Sequence, residues 1–114
     1  MRKYNVLVTG VGAIIGYGIV NSLHRSSYKM NVNIIGIDIY SDAYGRYLCD
    51  KFIQAIPAVS ERYPEFIKNV ILENEVDLVM FGTEQEIHRL ISEQEFMGDD
   101  YKKLVINNDK INLI

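Results

Sequence analysis

The fold is decided by residues 4–25, which read YNVLVTGVGAIIGYGIVNSLHR. The first part, from Tyr4 to Thr9, is rich in β-forming residues and ends at Gly10, which predicts a short strand. The second part predicts a helix from about Ala13 to Ser26, because apolar residues recur along one helical face. The residues of that face are Ile15, Ile19 and Leu23. A strand that leads through glycine into a helix is the unit from which α/β domains are built.

The rest of the chain repeats this alternation. Further strands are predicted at Val32–Asp38, Phe52–Ile56, Asp77–Phe81 and Leu104–Ile106, and further helices at Tyr63–Asn74 and Glu84–Glu95. Strands that are apolar almost throughout indicate a parallel sheet buried on both faces. Right-handed crossovers then favour a Rossmann-like, doubly wound three-layer sandwich. We predict five parallel strands in the order 3-2-1-4-5.

Composition limits the class of protein. The chain has 114 residues, 48% of them hydrophobic, which predicts one ordinary globular domain. The formal net charge of −3 gives no electrostatic reason to expect nucleic acid or an anionic membrane as a partner. One cysteine, Cys49, and two isolated histidines offer neither a disulfide nor a zinc site, which favours a reducing cytoplasm. No apolar run approaches the roughly 20 residues of a membrane span.

The predicted topology locates a ligand site. In an open parallel sheet, ligands bind beyond the carboxyl ends of the strands where the winding reverses, here between strands one and four. The loops that line this crevice are Gly10-Val11-Gly12 and Gly82-Thr83-Glu84, and Asp38 ends the neighbouring second strand. We therefore predict a small-molecule site at these residues.

The first loop carries glycines at positions 10, 12, 16 and 18. This is neither G-x-G-x-x-G, because Ile15 holds the third glycine position, nor a P-loop. In the related pattern T-G-x-x-G-x-x-G the second glycine is missing, because Ala13 stands at its position. Two interpretations stay open: the loop contacts an anion or other ligand through its N–H groups, or the glycines only form the turn and let the helix pack closely.

Asp38 follows Gly16 by 22 residues, which is roughly the spacing of the ribose-binding acid in dinucleotide folds. The alternative is an acidic residue that caps the loop after a strand.

The segment after the fourth strand combines a helix start with carboxylates. Thr83 is the predicted N-cap, and Glu86, three residues on, completes a capping box. Glu84 falls at the first helical position, where the helix dipole stabilises a carboxylate. We expect Glu84 to face the crevice, where it would bind a substrate amine or hydroxyl.

No catalytic or metal-binding residue is predicted. Tyr47 and Lys51 have the spacing of a reductase pair, but in reductases that pair lies far downstream, and Lys51 is expected to begin the third strand. Cys49 is expected to be a small core residue, and His24 and His88 are expected to lie at the surface.

Four segments in order resemble ATP-grasp proteins related to the carbamoyl-phosphate synthase large subunit. The opening, Asn5–Val20, resembles that family's glycine loop, and Asp77–Glu86, DLVMFGTEQE, resembles its "G-T-E-x-E" loop. Gly36–Asp38 with Gly45–Lys51 resembles the second-strand acid and the "G-x-Y-x-A-D-K" segment. Asn107–Lys110 resembles the lead-in to the central domain. Cys49 stands where that segment has alanine.

The resemblance implies a pre-ATP-grasp domain over residues 1–107, with 108–114 starting the connection to an ATP-grasp domain. Such a domain is catalytically incomplete alone. It supplies substrate contacts to a ligase that activates a carboxylate as an acyl phosphate. Gly10, Gly12, Thr83, Glu84 and Glu86 would line its substrate side. ATP and Mg²⁺ would be bound mainly outside this chain, and the partners would be the downstream ATP-grasp domain and a small-molecule substrate.

Two other functions fit the same residues. Thr9-Gly10, Gly16 and Asp38 are compatible with an NAD(P)-binding fragment of a short-chain-type reductase. A stand-alone nucleotide-sensing module is the third hypothesis.

Overall fold

The computed structural model describes residues 3–26 and 31–106. Its strands are β1 (Tyr4–Val8), β2 (Val32–Asp38), β3 (Lys51–Gln54) and β4 (Leu78–Met80); its helices are α1 (Ile14–Arg25), α2 (Tyr63–Glu73), α3 (Glu84–Ile91) and α4 (Gln94–Met97). Two 3-10 segments, Tyr44–Leu48 and Gly98–Lys103, complete the elements. The predicted domain boundary at residue 107 and the segment Asn107–Lys110 lie outside the described residues.

The sheet is parallel, with strand order β3-β2-β1-β4. This confirms the Rossmann-like α/β class, but the prediction of a fifth strand at Leu104–Ile106 is wrong within the described residues. Leu104 forms only an isolated parallel bridge with Val79, beside the bond from Val105 N–H to the Val79 carbonyl.

Each face of the sheet has its own core, as alternation along a strand requires. On one face, Leu7 and Ile35 pack with residues of α2, α3 and α4, among them the fully buried Ile67 and Leu90. On the other face, Val6, Val8 and Ile34 pack with Val20 of α1 and with Ala43. Helices therefore cover both faces, which gives the predicted three layers. No helix in the described ranges is both long and apolar enough to cross a membrane.

The buried face of α1 differs by one residue from the predicted stripe. Ile15 is 59% exposed, whereas Gly16 and Val20 are buried. Ile19 and Leu23 do pack against the core. The reason lies at Gly16, whose lack of a side chain lets α1 approach the end of β1 and turns that side of the helix toward the sheet.

The third predicted helix is divided in two. It runs to Ile91 and is followed by the separate turn α4, so it is shorter than the predicted Glu84–Glu95. At the break, the Ser92 hydroxyl donates to the Arg89 carbonyl at 2.7 Å, which competes with the helical pattern. Ile91, the last residue of α3, is 43% exposed.

The ends of β1 and β4 meet α1 through backbone alone. A Cβ on Gly16 would collide with the Gly10 carbonyl, and a Cβ on Gly82 would collide with the Thr9 carbonyl and lie 2.6 Å from Gly16 Cα. The Gly82 N–H also donates to Thr9 Oγ1 at 3.1 Å. The packing interpretation therefore holds for Gly16, and Gly82 takes part in the same close contact. It does not hold for Gly18, where an added Cβ meets nothing within 4 Å.

Two alanine substitutions in the same helix test this contact. We expect Gly16→Ala to lower the free energy of unfolding by about 2 kcal/mol or more, because the rigid Gly10 backbone cannot yield to the methyl group. Gly18→Ala, the matched control, should raise it by about 0.5–1 kcal/mol, because alanine has the better helix propensity. Urea denaturation measures both. Equal effects of the two substitutions would contradict the close contact.

Candidate functional site

A cavity of about 580 Å³ opens at the carboxyl ends of the strands, where the topology predicts a ligand site. Its walls are the glycine loop, the segment from Asp38 to Tyr44, Pro57 with Ala58 after β3, and the start of α3. Five of the predicted site residues line it. They are Gly10, Gly12, Asp38, Thr83 and Glu86.

Three predicted site residues do not line the cavity. Val11 is fully buried and packs in the core on the α1 side. Gly82 is buried beneath the loop, where it contacts Thr9 and Gly16. Glu84 is exposed and outside the cavity lining, and Gln85 lines the cavity in its place. The prediction that Glu84 faces the crevice is therefore wrong.

The glycine loop is held by its own hydrogen bonds. Val11 N–H donates to the Ile37 carbonyl at 3.2 Å, and Ala13 N–H donates to the Gly10 carbonyl at 2.9 Å. Between them, Gly12 N–H donates to Asp38 Oδ2 at 2.8 Å. Three successive loop N–H groups thus have acceptors within the chain, and the open donors left at this end belong to the first turn of α1.

The Asp38 carboxylate joins two loops through hydrogen bonds. Its Oδ2 accepts from Gly12 and its Oδ1 accepts from Tyr40 N–H at 2.9 Å, and the residue is only 8% exposed. Asp38 therefore has the alternative role predicted from the sequence, that of an acidic residue that caps the loop after a strand. Each carboxylate oxygen still has a lone pair available, so the geometry leaves ribose binding open.

Glu86 is fixed by two hydroxyl groups. Its Oε1 accepts from the Thr83 hydroxyl at 2.8 Å, and its Oε2 accepts from the Tyr63 hydroxyl at 2.7 Å. Thr83 is the N-cap of α3, as predicted, since its Oγ1 accepts from Glu86 N–H. The capping box differs from the predicted form, because the Glu86 carboxylate bonds the Thr83 hydroxyl.

The fixed carboxylate lies against the glycine turn. Gly10 has φ of +60°, and an added Cβ there would be 2.9 Å from Thr83 Cγ2 and 3.4 Å from Glu86 Oε1. The absence of a Cβ at Gly10 therefore leaves room for the Thr83 and Glu86 side chains over the loop.

Tyr63 is the residue beneath this site that the sequence did not reveal. It is fully buried at the start of α2. Burial, and next the negative charge of Glu86, raise the pKa of the Tyr63 phenol well above its ordinary value. Tyr63 therefore acts as a permanent hydrogen-bond donor to Glu86. In the sequence, the neighbouring Pro64 indicates where a helix begins but does not indicate a contact with Glu86.

Other missed residues follow β2 and β3. Tyr40, Asp42 and Tyr44 line the cavity after β2, and Pro57 and Ala58 line it after β3. The available signal was topological: the carboxyl ends of parallel strands share one edge of the sheet.

The remaining candidate residues lie outside the cavity lining. Tyr47 is 82% exposed, and Lys51 begins β3, where its Nζ donates to Asn74 Oδ1 at 2.7 Å. Burial raises the pKa of the Cys49 thiol to about 11, so the thiol is protonated near neutral pH and is a poor nucleophile. His24 and His88 are exposed, as predicted. The described residues contain no group of three or more His, Cys, Asp or Glu that could hold a metal ion.

Removal of the Tyr63 hydroxyl tests how Glu86 is fixed. We expect Tyr63→Phe to lower the free energy of unfolding by about 2 kcal/mol at pH 7, because a buried bond to a carboxylate is lost. Tyr47→Phe, at an exposed tyrosine, is the control and should change little. Chemical denaturation of the two variants gives the comparison.

The Tyr63–Glu86 pair also predicts how the free energy of unfolding changes at alkaline pH. The folded-state pKa of Tyr63 is raised, so above about pH 10 the unfolded chain loses a proton that the folded chain keeps. The wild-type stability contributed by this group then falls by up to about 1.4 kcal/mol per pH unit. The difference between wild type and Tyr63→Phe should shrink from pH 9 to pH 11. A constant difference would contradict the raised pKa.

Known proteins share this fold at low identity. A dTDP-glucose 4,6-dehydratase from Bacillus anthracis, in complex with NAD, is 17% identical with a TM-score of 0.60 over 89% of this chain and 35% of its own. An N5-carboxyaminoimidazole synthetase from Staphylococcus aureus, an ATP-grasp protein, is 19% identical with a TM-score of 0.53 over 82% of this chain and 24% of its own.

The chain thus spans about a third or less of either neighbour. No protein-family model and no curated protein sequence matches it. The likeness establishes a Rossmann-like fold that occurs in both an NAD complex and an ATP-grasp protein, and it does not separate the two functions.

Proposed function

We propose that this chain is the N-terminal, substrate-side domain of an ATP-grasp ligase related to the carbamoyl-phosphate synthase large subunit. In this proposal the domain is catalytically incomplete alone. The observation that carries it is the Glu86 carboxylate, fixed by Thr83 and Tyr63 and placed against Gly10 at the cavity. Glu86 belongs to the "G-T-E-x-E" segment on which the resemblance to that family rests.

Electrostatics support a substrate site over a dinucleotide phosphate site. A pyrophosphate bound at the glycine loop would lie close to the Glu86 carboxylate, and like charges at such distances repel. No basic side chain among the described residues lines the cavity to offset that repulsion. The N–H groups of Val11, Gly12 and Ala13 are also already bonded within the chain.

In the proposed ligase, ATP and Mg²⁺ are bound mainly by a domain outside this chain. The described residues do not provide the clustered ligands that a metal ion needs. This domain would instead orient a substrate beside the reacting centre, with Glu86 and Asp38 as its fixed polar groups. The downstream domain and the small-molecule substrate are its proposed partners.

NAD(P) binding is the second candidate, favoured by one observation. Asp38 ends β2 and lines the same cavity as Gly10 and Gly12, with acceptor capacity left for a ribose hydroxyl. A stand-alone nucleotide-sensing module would use the same groups, so a single series of titrations addresses both alternatives.

Calorimetric titration with NAD⁺, NADP⁺ and Mg²⁺-ATP is the first test. We expect each nucleotide to bind the chain more weakly than about 1 mM, because its phosphates meet carboxylates and no basic side chain. Micromolar NAD⁺ or NADP⁺ binding that Asp38→Arg abolishes and the remote control Asp99→Arg preserves would support the reductase fragment. Tight, saturable ATP binding would support the sensing module.

The gene supplies a second test. Under the ligase proposal, the reading frame continues past Ile114 into an ATP-binding domain with a glycine-rich hairpin and a late metal-binding acid. A stop codon within a few codons of Ile114 would overturn the proposal whatever the titrations show.

A further inference from the structure

We propose that the cavity binds an organic cation, a primary amine or substituted ammonium carried on an apolar body. The inference names a substrate class for the same cavity and rests on the proposed function. Its first support is charge: Asp38, Asp42 and Glu86 line the cavity, and no Lys, Arg or His among the described residues does so. A neutral or anionic ligand would leave these carboxylates without a counter-charge.

Aromatic rings at the mouth of the cavity give a second, independent support. Tyr40 and Tyr44 line the cavity yet are 66% and 82% exposed, so their rings do not serve the core. Tyr44 is placed by Tyr17, with ring centroids 6.2 Å apart and the planes inclined at 54°. Exposed tyrosine rings beside carboxylates are the surroundings in which cation–π contacts recognise ammonium groups.

The remaining walls accept an apolar body. Ile39, Pro57 and Ala58 line the cavity beside the tyrosines. Its volume of about 580 Å³ is within the range of small-molecule sites. A small ammonium ion or a fully hydrophilic polyamine would leave this apolar surface uncovered.

The arrangement of the carboxylates favours an organic cation over a metal ion. In the described part of the chain, no three acidic, His or Cys side chains come together as metal ligands do. Asp38 and Glu86 are each held by two hydrogen bonds, so neither can swing to join the other. The lining carboxylates therefore suit an ammonium group better than a metal ion.

Arg89 carries a positive charge near this site, because its charge opposes the rise in the Tyr63 pKa. Its Nη1 donates to the Ala58 carbonyl at 3.2 Å, and its Nε lies 3.4 Å from Glu93 Oε2. Arg89 is not part of the cavity lining. Glu93 is therefore its acidic partner, and the lining carboxylates remain available to a ligand.

Three probes of one shape test the inference: benzylammonium, benzyl alcohol and benzoate. Each is titrated into the ¹⁵N-labelled chain at pH 7, and amide shifts near the cavity are followed by NMR. We expect benzylammonium to bind about tenfold more tightly than benzyl alcohol, and benzoate to bind least, because the carboxylates attract only the cation. Added salt should weaken the preference by screening the exposed charge.

Matched variants assign the effect to the cavity. Asp42→Asn removes an exposed lining charge and should weaken benzylammonium about threefold, as expected for a partly solvated ion pair. Glu86→Gln should weaken it more. Asp99→Asn, an exposed acid remote in sequence and outside the cavity lining, should leave the affinity unchanged. Asp42 lies in a surface loop, so its variant keeps the test decisive if Glu86→Gln fails to fold.

The outcomes separate this inference from the proposed function. Equal binding of benzyl alcohol, a preference for benzoate, binding of none of the probes, or equal effects of Asp42→Asn and Asp99→Asn overturns the cationic substrate class and leaves the substrate-side domain standing. Micromolar NAD⁺ binding in the titrations above overturns the proposed function itself. A cation preference that Asp42→Asn weakens and Asp99→Asn does not weaken supports the inference.

Discussion

The structure depends on a contact between backbones, in which the Gly10 turn, the α1 helix at Gly16 and the β4 end at Gly82 come together without space for a Cβ. The bond from Gly82 N–H to Thr9 Oγ1 joins the carboxyl ends of β1 and β4 at this point. Because the three segments are so close, the first turn of α3 lies directly over the glycine loop. The site at this edge of the sheet therefore follows from the packing of the fold and requires no separate scaffold.

Much of the fold could be predicted from local sequence, and the errors have local causes. β2 begins and ends as predicted because its central residues are apolar and it is paired on both sides. The stripe on α1 was misplaced because a period of 3.6 residues allows two neighbouring stripes, and Gly16, which carries no apolar side chain, decides between them. The fifth strand was overestimated because the apolar pattern of Leu104–Ile106 does not determine how far it pairs with β4, and of these residues only Leu104 forms a bridge.

The site was predictable only as far as backbone position determines it. Gly10, Gly12, Asp38, Thr83 and Glu86 follow from the ends of strands and the start of a helix, and they do line the cavity. Glu84 was misassigned because helical residues two positions apart point about 200° apart, so the capping residue Glu86 turns inward and Glu84 does not. Tyr63 was missed because its contact with Glu86 joins segments 23 residues apart that carry no shared motif.

The fold itself cannot decide between a nucleotide and another substrate, because the same frame occurs in an NAD complex and in an ATP-grasp protein. The class of ligand depends instead on the side chains that line the site. A phosphate site uses free N–H groups and basic residues. Here the Val11–Ala13 N–H groups are bonded internally, so the open donors are those of the first turn of α1, and the lining charges are carboxylates. Asp38 illustrates the shift: it occupies the position of a ribose-binding acid, yet it uses both oxygens to hold the loops. A residue at a familiar position thus stabilises the site, and under our proposal its charge also contributes to the attraction of a cation.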